Sequence, residues 1–171
     1  MKKIAKFEKV SLDQFTKDWA GEFLEASEAE IKEIYDSIKL PKRATCGSAG
    51  YDFYVPVNIT LAPGEEKKIP TGIRCWMEEG WVLKIYPRSG LGFKFRLQLN
   101  NTVGIIDSDY FYSDNEGHMF VKMTNDSREG KTVELAAGMA FAQGIFLPYG
   151  ITVDDDCTST RNGGFGSTDA R

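Results

Sequence analysis

Two hydrophobic rhythms divide this chain. Up to residue 40 the apolar positions recur at helical intervals: Leu12, Phe15 and Trp19 follow Ser11, and Ile31, Ile34, Tyr35 and Ile38 follow Ser27. Ser11-Leu12-Asp13-Gln14 and Ser27-Glu28-Ala29-Glu30 both have the spacing of a helix capping box. The pattern predicts two short amphipathic helices, whose apolar stripes need the main domain or a neighbouring subunit to cover. From Pro41 the period drops to two, with Tyr51, Phe53, Val55 and Val57 alternating with Asp52, Tyr54 and Pro56. Ala62-Pro63-Gly64-Glu65 reads as a turn, and further strands are expected at residues 67–70, 73–77, 81–86, 118–124, 132–135 and 139–147. Short strands at this spacing predict an antiparallel sandwich or barrel, not a βαβ sheet. After Asp154-Asp155-Asp156 the apolar periodicity stops. The expected organisation is a helical extension over residues 1–40, a β domain over 41–153 and a glycine-rich arm over 154–171.

Composition narrows the function. The chain has 171 residues, of which 42% are hydrophobic and 27% charged, enough apolar material for one sizeable core. A net charge of −4 argues against general nucleic-acid binding, which needs a basic footprint, but leaves room for a local basic cluster holding a small anion. Three widely spaced cysteines, Cys46, Cys75 and Cys157, match no metal pattern and read as free thiols in a reducing cytoplasm. A single histidine, His118, excludes multi-histidine metal sites. No secretory signal and no membrane-spanning stretch is expected.

Five stretches carry candidate chemistry. In Gly47-Ser48-Ala49-Gly50-Tyr51-Asp52, Asp52 lies on the polar parity of its strand; it is either an outward solvated residue or a carboxylate holding a hydrated Mg²⁺. In Pro87-Arg88-Ser89-Gly90, a guanidinium, a hydroxyl and free backbone N–H groups make an anion site, with a turn bearing a solvated Arg as the alternative. The stretch from Asn101 to Tyr110 places Gly104 inside the apolar run Val103 to Ile106, where glycine marks a bulge or a close backbone approach. Asp107 closes that run; partial desolvation there would raise its pKa and make it a better base. The segment is either a nucleobase-reading hairpin or an ordinary hairpin with solvated acids. Gln143 shares parity with Met139, Phe141 and Ile145, so its amide needs a backbone or ligand partner. The arm sets Arg161, Phe165, Gly166 and Ser167 in a glycine-rich run, suited to stacking on a ring and bonding phosphate. It is not a Walker A loop.

Together, in this order, these residues resemble the homotrimeric dUTPase (dUTP diphosphatase) family of bacterial or bacteriophage type. The resemblance rests on Ala49-Gly50-Tyr51-Asp52-Phe53, Pro87-Arg88-Ser89-Gly90-Leu91, Gly104-Ile105-Ile106-Asp107-Ser108-Asp109-Tyr110, Phe141-Ala142-Gln143, and Arg161 with Gly164-Phe165-Gly166-Ser167-Thr168. It implies an all-β jelly-roll barrel, and a homotrimer whose active sites are shared between subunits. The implied reaction is Mg²⁺-assisted hydrolysis of dUTP to dUMP and pyrophosphate, which limits uracil incorporation into DNA and supplies dUMP for dTMP synthesis. By the same resemblance Asp107 activates the attacking water and Asp52 holds Mg²⁺ through water. Arg88, Ser89, Gly90 and Gln143 bind the phosphates, as do Arg161, Gly166 and Ser167 of the arm. Asn101 and the backbone of Gly104, Ile105 and Ile106 read uracil, Tyr110 packs against the deoxyribose, and Phe165 stacks on the base.

The sequence departs from the family pattern in three places. Asn162 alone separates Arg161 from Gly163; Phe111 stands where the family has Arg, followed by Tyr112-Ser113-Asp114-Asn115-Glu116-Gly117, which lengthens the hairpin; and Asp169 replaces the usual Gly after Ser-Thr. A dCTP deaminase of the same fold is the nearest rival, with Glu134 in Thr132-Val133-Glu134-Leu135 as its only comparable glutamate. A rival of another class is a nucleotide-sensing regulatory protein, its partner contacting the N-terminal helices and the lengthened hairpin.

Overall fold

The computed structural model describes residues 2–161 and 163. Its elements, in chain order, are β1 (Ala5–Lys9), α1 (Leu12–Ala20), α2 (Glu28–Ser37), β2 (Lys42–Arg43), β3 (Tyr51–Tyr54), β4 (Ile59–Leu61), β5 (Glu66–Pro70) and β6 (Ile73–Met77). There follow β7 (Trp81–Pro87), α3 (Ser89–Phe95), β8 (Leu97–Leu99), β9 (Gly104–Ile106), a 3-10 turn (Ser108–Tyr112), β10 (Phe120–Asn125), β11 (Val133–Leu135) and β12 (Ala140–Pro148). All strand pairs are antiparallel, in sheets ordered β2-β3-β12-β7-β9, β5-β10-β8, β1-β6 and β11-β4. These sheets wrap into the expected all-β jelly-roll barrel. Their inward residues, among them Phe53, Leu83, Val121, Met123 and Phe141, form one core.

The N-terminal segment builds a second, smaller core. Both serine caps form: the Ser11 hydroxyl accepts from the Gln14 N–H, and Ser27 with Glu30 makes a complete capping box. Phe15 and Trp19 are fully buried with Val10 and Ile31, while Ile34, Tyr35 and Ile38 pack around them. Ile38 and Val57 touch both cores, so the helices dock on the barrel of their own chain.

Local structure differs from the expectation at four points. Residues 5–9 are a strand, not part of a purely helical extension, and they pair with β6 from Ala5↔Met77 to Lys9↔Ile73. The stretch after Pro87 enters a helix, α3, where a turn was expected. The strands flanking Asn101 do not form a hairpin with each other: β8 pairs with β10 and β9 with β7. Parity also fails in β12, because a register shift between Ala140 and Ala142 brings Phe141, Ala142 and Gly144 all inside while Gln143 and Ile145 are only half-buried.

Replacing Trp19 by Ala should cost about 3–5 kcal/mol, because the small core has nothing to refill the space; urea unfolding measures it. Acid should act through Asp18 and Glu116. Burial pushes both carboxyls up, but hydrogen bonds from His118 and Gln14 to Asp18, and from Ser11 to Glu116, bring them below their ordinary 3.8 and 4.5. A depressed carboxyl stabilises the fold above its ordinary pKa, and that contribution is lost as pH falls through the folded value. The melting temperature should therefore fall as pH drops below about 4.5, and the Asp18→Asn/Glu116→Gln pair should flatten that fall.

Candidate functional site

Strand register gathers the first group of candidate residues. In β3-β12-β7, Gln143 pairs with Asp52 on one side and with Tyr86 on the other, while Ala142 pairs with Pro87. Three stretches far apart in sequence thus reach one end of one sheet. Asp52 forms an ion pair with Arg88, Oδ1 lying 3.3 Å from Nε, and is mostly enclosed, its side chain 18% exposed. Arg88 Nη1 also points at the Ala140 carbonyl, 3.4 Å away. The Gln143 amide, which needed a partner, donates to the Pro87 carbonyl at 3.2 Å. Its Oε1 lies 2.8 Å from where a side chain on Gly50 would begin, so only glycine leaves room for it there. Arg88 caps α3 with extended backbone and no side-chain hydrogen bond, and Ser89 and Gly90 are exposed at the first turn. The leading N–H groups of a helix have no intrahelical acceptor, so this turn offers donors to an anion.

The second group lies elsewhere on the same sheet. Asn101 is exposed in a turn closed by Thr102 N–H to the Leu99 carbonyl, and Thr102 sits at φ +67. A β-branched residue in the left-handed region stores about 1–3 kcal/mol of strain, which the surrounding strands must hold. Gly104 brings β9 so close to β7 that a side chain there would begin 3.1 Å from the Ile85 Cβ. Strand β9 is the sheet edge, so the backbone groups facing away from β7 are free of the ladder. Gly104, Ile105, Ile106 and Asn101 border a cleft of about 330 Å³, with Phe53, Ile85, Met119 and Lys122 among its other walls. Asp107 leaves the end of β9 and is 48% exposed, so within one subunit it is not the desolvated carboxylate expected; the edge strand opens it to solvent. Arg161 answers it, Nη2 lying 2.5 Å from Asp107 Oδ2 and Nε 3.0 Å from Asp109 Oδ1. Tyr110 is buried, and burial pushes its phenol pKa up, so the hydroxyl stays protonated and donates to the His118 carbonyl at 2.6 Å.

The two groups do not meet within one chain. Ile106 pairs with Leu83, whereas Arg88 follows the other end of β7. The five steps from Leu83 to Arg88 cover about 17 Å at roughly 3.4 Å per strand residue. Phe165, Gly166 and Ser167 lie outside the described residues.

Several residues around this site had no signal in the sequence. His118 was informative there only as a lone histidine; it is fully buried between α1 and the barrel. Phe111 packs under Arg74 of β6, whose guanidinium carbon is 3.5 Å from the ring centroid. Glu116, in the lengthened segment, takes both the N–H and the hydroxyl of Ser11 at 2.7 Å each. The N-terminal helices and the lengthened segment are therefore bound to one another. Asp–His and Glu–Ser pairs across about a hundred residues leave no periodic trace.

This arrangement can hold a polyanion at the β3-β12-β7 end and a flat, hydrogen-bonding ring against β9. The chain is similar to known proteins. The dUTPase family model matches residues 36–169. The deoxyuridine 5'-triphosphate nucleotidohydrolase of Lactococcus lactis is 45% identical over 136 residues, covering 78% of this chain and 89% of that protein. Its counterpart in Escherichia coli K12 is 36% identical over 135 residues, covering 74% and 85%. The crystal structure of dUTPase from Streptococcus mutans superposes with a TM-score of 0.62 at 33% identity, over 87% of this chain and 98% of that one. The fold of a dUTPase from phage phi11 of S. aureus, described with a structural Mg(II) ion, matches with a TM-score of 0.63 at 17% identity, over 92% and 98%. With its family model matched across the whole barrel, this chain belongs to the dUTPase family.

Proposed function

We propose that the chain hydrolyses dUTP to dUMP and pyrophosphate at sites shared between the subunits of a homotrimer. The register that brings Asp52, Arg88 and Gln143 to one sheet end carries this reading. The separation of Asp107 from Arg88 along β7 supports a site that draws its third stretch from another copy.

Asp107 accepts a proton from water as the water oxygen attacks the α-phosphorus. The bond from that phosphorus to the bridging oxygen breaks, and pyrophosphate leaves with the electron pair. Arg88, Ser89, Gly90 and Gln143 hold the phosphate chain in line, with Arg161, Gly166 and Ser167 closing on it. Asn101 and the free edge of Gly104, Ile105 and Ile106 bond the uracil edge, and Phe165 stacks on the ring. Tyr110 packs beneath the deoxyribose and leaves no room for a 2′-hydroxyl. Among the described residues no three His, Cys, Asp or Glu side chains cluster, which fits a hydrated Mg²⁺ that takes few protein ligands. Asp52 would hold it through water, and the bound ion supplies charge neutralisation on the triphosphate.

The deaminase reading loses its support. Glu134 is exposed on β11, opposite Thr60, in a sheet separate from the β3-β12-β7 end. None of the described helices is long and apolar enough to cross a membrane. Its cysteines are free, and a cytoplasmic enzyme is the reading that fits them.

Asp107→Asn should lower kcat on dUTP by about 10²–10⁴-fold, the usual worth of a general base, while dUTP analogues still bind; pyrophosphate release measures the first and calorimetry the second. Equal activity in that variant would refute the assignment. Removing residues 161–171 should leave a folded trimer, by ultracentrifugation and circular dichroism, with turnover reduced on the order of 10²-fold.

A further inference from the structure

The N-terminal segment lies almost wholly outside the residues that match the family, yet two of its polar contacts, Asp18 to His118 and Ser11 to Glu116, flank one site residue. The hydroxyl of Tyr110 donates to the His118 carbonyl at 2.6 Å and accepts from Asn115 Nδ2 at 2.9 Å. What fixes His118 is α1. Its Nε2 accepts from the Gly72 N–H at 2.8 Å, so the proton sits on Nδ1, which donates to Asp18 at 2.6 Å. Gly72 is tied in turn, its carbonyl accepting from the Val10 N–H at 3.1 Å. The ring itself lies between Phe15 and Phe120, with centroids 6.1 and 4.6 Å away. Neither nitrogen is spare, and the side chain has no open side.

The loop between Tyr110 and His118 is held at a second point. Gln14 stands at the N3 position of α1, but its amide goes to Asp18, and Glu116 takes its place by binding the Ser11 N–H. This is a capping box closed by a residue 105 positions away. The neighbouring Gly117 has φ +71, and a side chain there would begin 2.7 Å from the Phe111 Cα, so the loop folds tightly back on the turn that carries Tyr110. The Arg161 guanidinium lies over the Tyr110 ring, 5.8 Å from its centroid. One end of the phenol is clamped, and one face lies beneath Arg161.

We propose that Asp18 and Glu116 are positioning residues: through His118 and the Tyr112–Gly117 loop, the N-terminal segment fixes the depth of the Tyr110 ring and so the rejection of ribonucleotides. This rests on the reading that Tyr110 packs beneath the sugar. A phenol pinned at its hydroxyl cannot tilt away from an added 2′-hydroxyl. With the Asp18 acceptor removed, the buried Nδ1 proton loses its partner and the ring keeps only its Gly72 anchor, which loosens the hold on the His118 carbonyl.

Steady-state kinetics on dUTP and UTP, with thermal melts, test this in the full-length protein. Asp18→Ala should raise the UTP:dUTP ratio of kcat/KM about tenfold, mainly through KM, because small displacements of a contact group cost that much. Asp18→Asn keeps an acceptor for Nδ1 and should restore the wild-type ratio. Ile31→Ala weakens the same small core without touching His118, and should lower the melting temperature while leaving the ratio alone. Glu116→Ala, at a partly exposed position, probes the second clamp if Asp18→Ala does not fold, with a several-fold rise expected. A ratio that moves equally in Ile31→Ala, or in neither clamp variant, overturns the proposal. Tyr110→Ala separates the two readings: an unchanged ratio there refutes the sugar contact itself, whereas a raised ratio there beside unmoved clamp variants refutes only the buttress.

Discussion

Strand β12 is hydrogen-bonded along both edges, and its register decides where the chemistry sits. Gln143 is opposite Asp52 on β3 and Tyr86 on β7, so a slip of one residue would turn Gln143 to the other face and separate it from both. The apolar residues of this strand resist such a slip: Phe141, Ala142 and Gly144 are buried against Phe53, Leu83 and Ile85. Gly144 is part of that lock, since a side chain there would begin 2.9 Å from both Leu83 and Phe53. The core therefore sets the polar cluster, and the cost of moving Arg88 relative to Asp52 is the cost of repacking the barrel.

The same sheet keeps Asp107 away. Strand β9 is the far edge, running antiparallel to β7, so its C-terminal end faces the start of β7 while Arg88 follows the other end. Topology thus separates Asp107 from Arg88 and Gln143 within one chain. On the proposed reading each group is half of a site: one carries Arg88 without the base, and the other carries Asp107 beside a cleft walled in part by Lys68 and Lys122. Association of copies would unite the two halves.

Much of this was legible in the chain. Period-two alternation located most barrel strands, and serine caps fixed the starts of both helices. The polar stretches singled out Asp52, Arg88 and Gln143, which the strand register then brings to one sheet end. What escaped were features with no local cause. Strand β1 is made by its pairing with β6, since Ala5–Lys9 has little apolar alternation of its own. A bulge in β12 broke the parity argument for Gln143, and the helix after Pro87 replaced a turn because Ser89 to Phe95 has helical partners only once the strand has ended. The clamp on Tyr110 joins residues about a hundred positions apart, which no window along the sequence can register.

Arg161 shows how the site manages charge. It bridges Asp107 and Asp109, two carboxylates that follow one another closely and would repel alone. Both acids are about half exposed, and ion pairs of that kind contribute about 1 kcal/mol or less. A triphosphate presents more negative charge, at shorter range and with oxygens suited to a guanidinium fork, so the exchange of partners costs little. On the proposed reading Arg161 turns to phosphate and leaves Asp107 as the base. A weak pair suits that exchange: a buried bridge of the same geometry would hold the carboxylate in the ion pair.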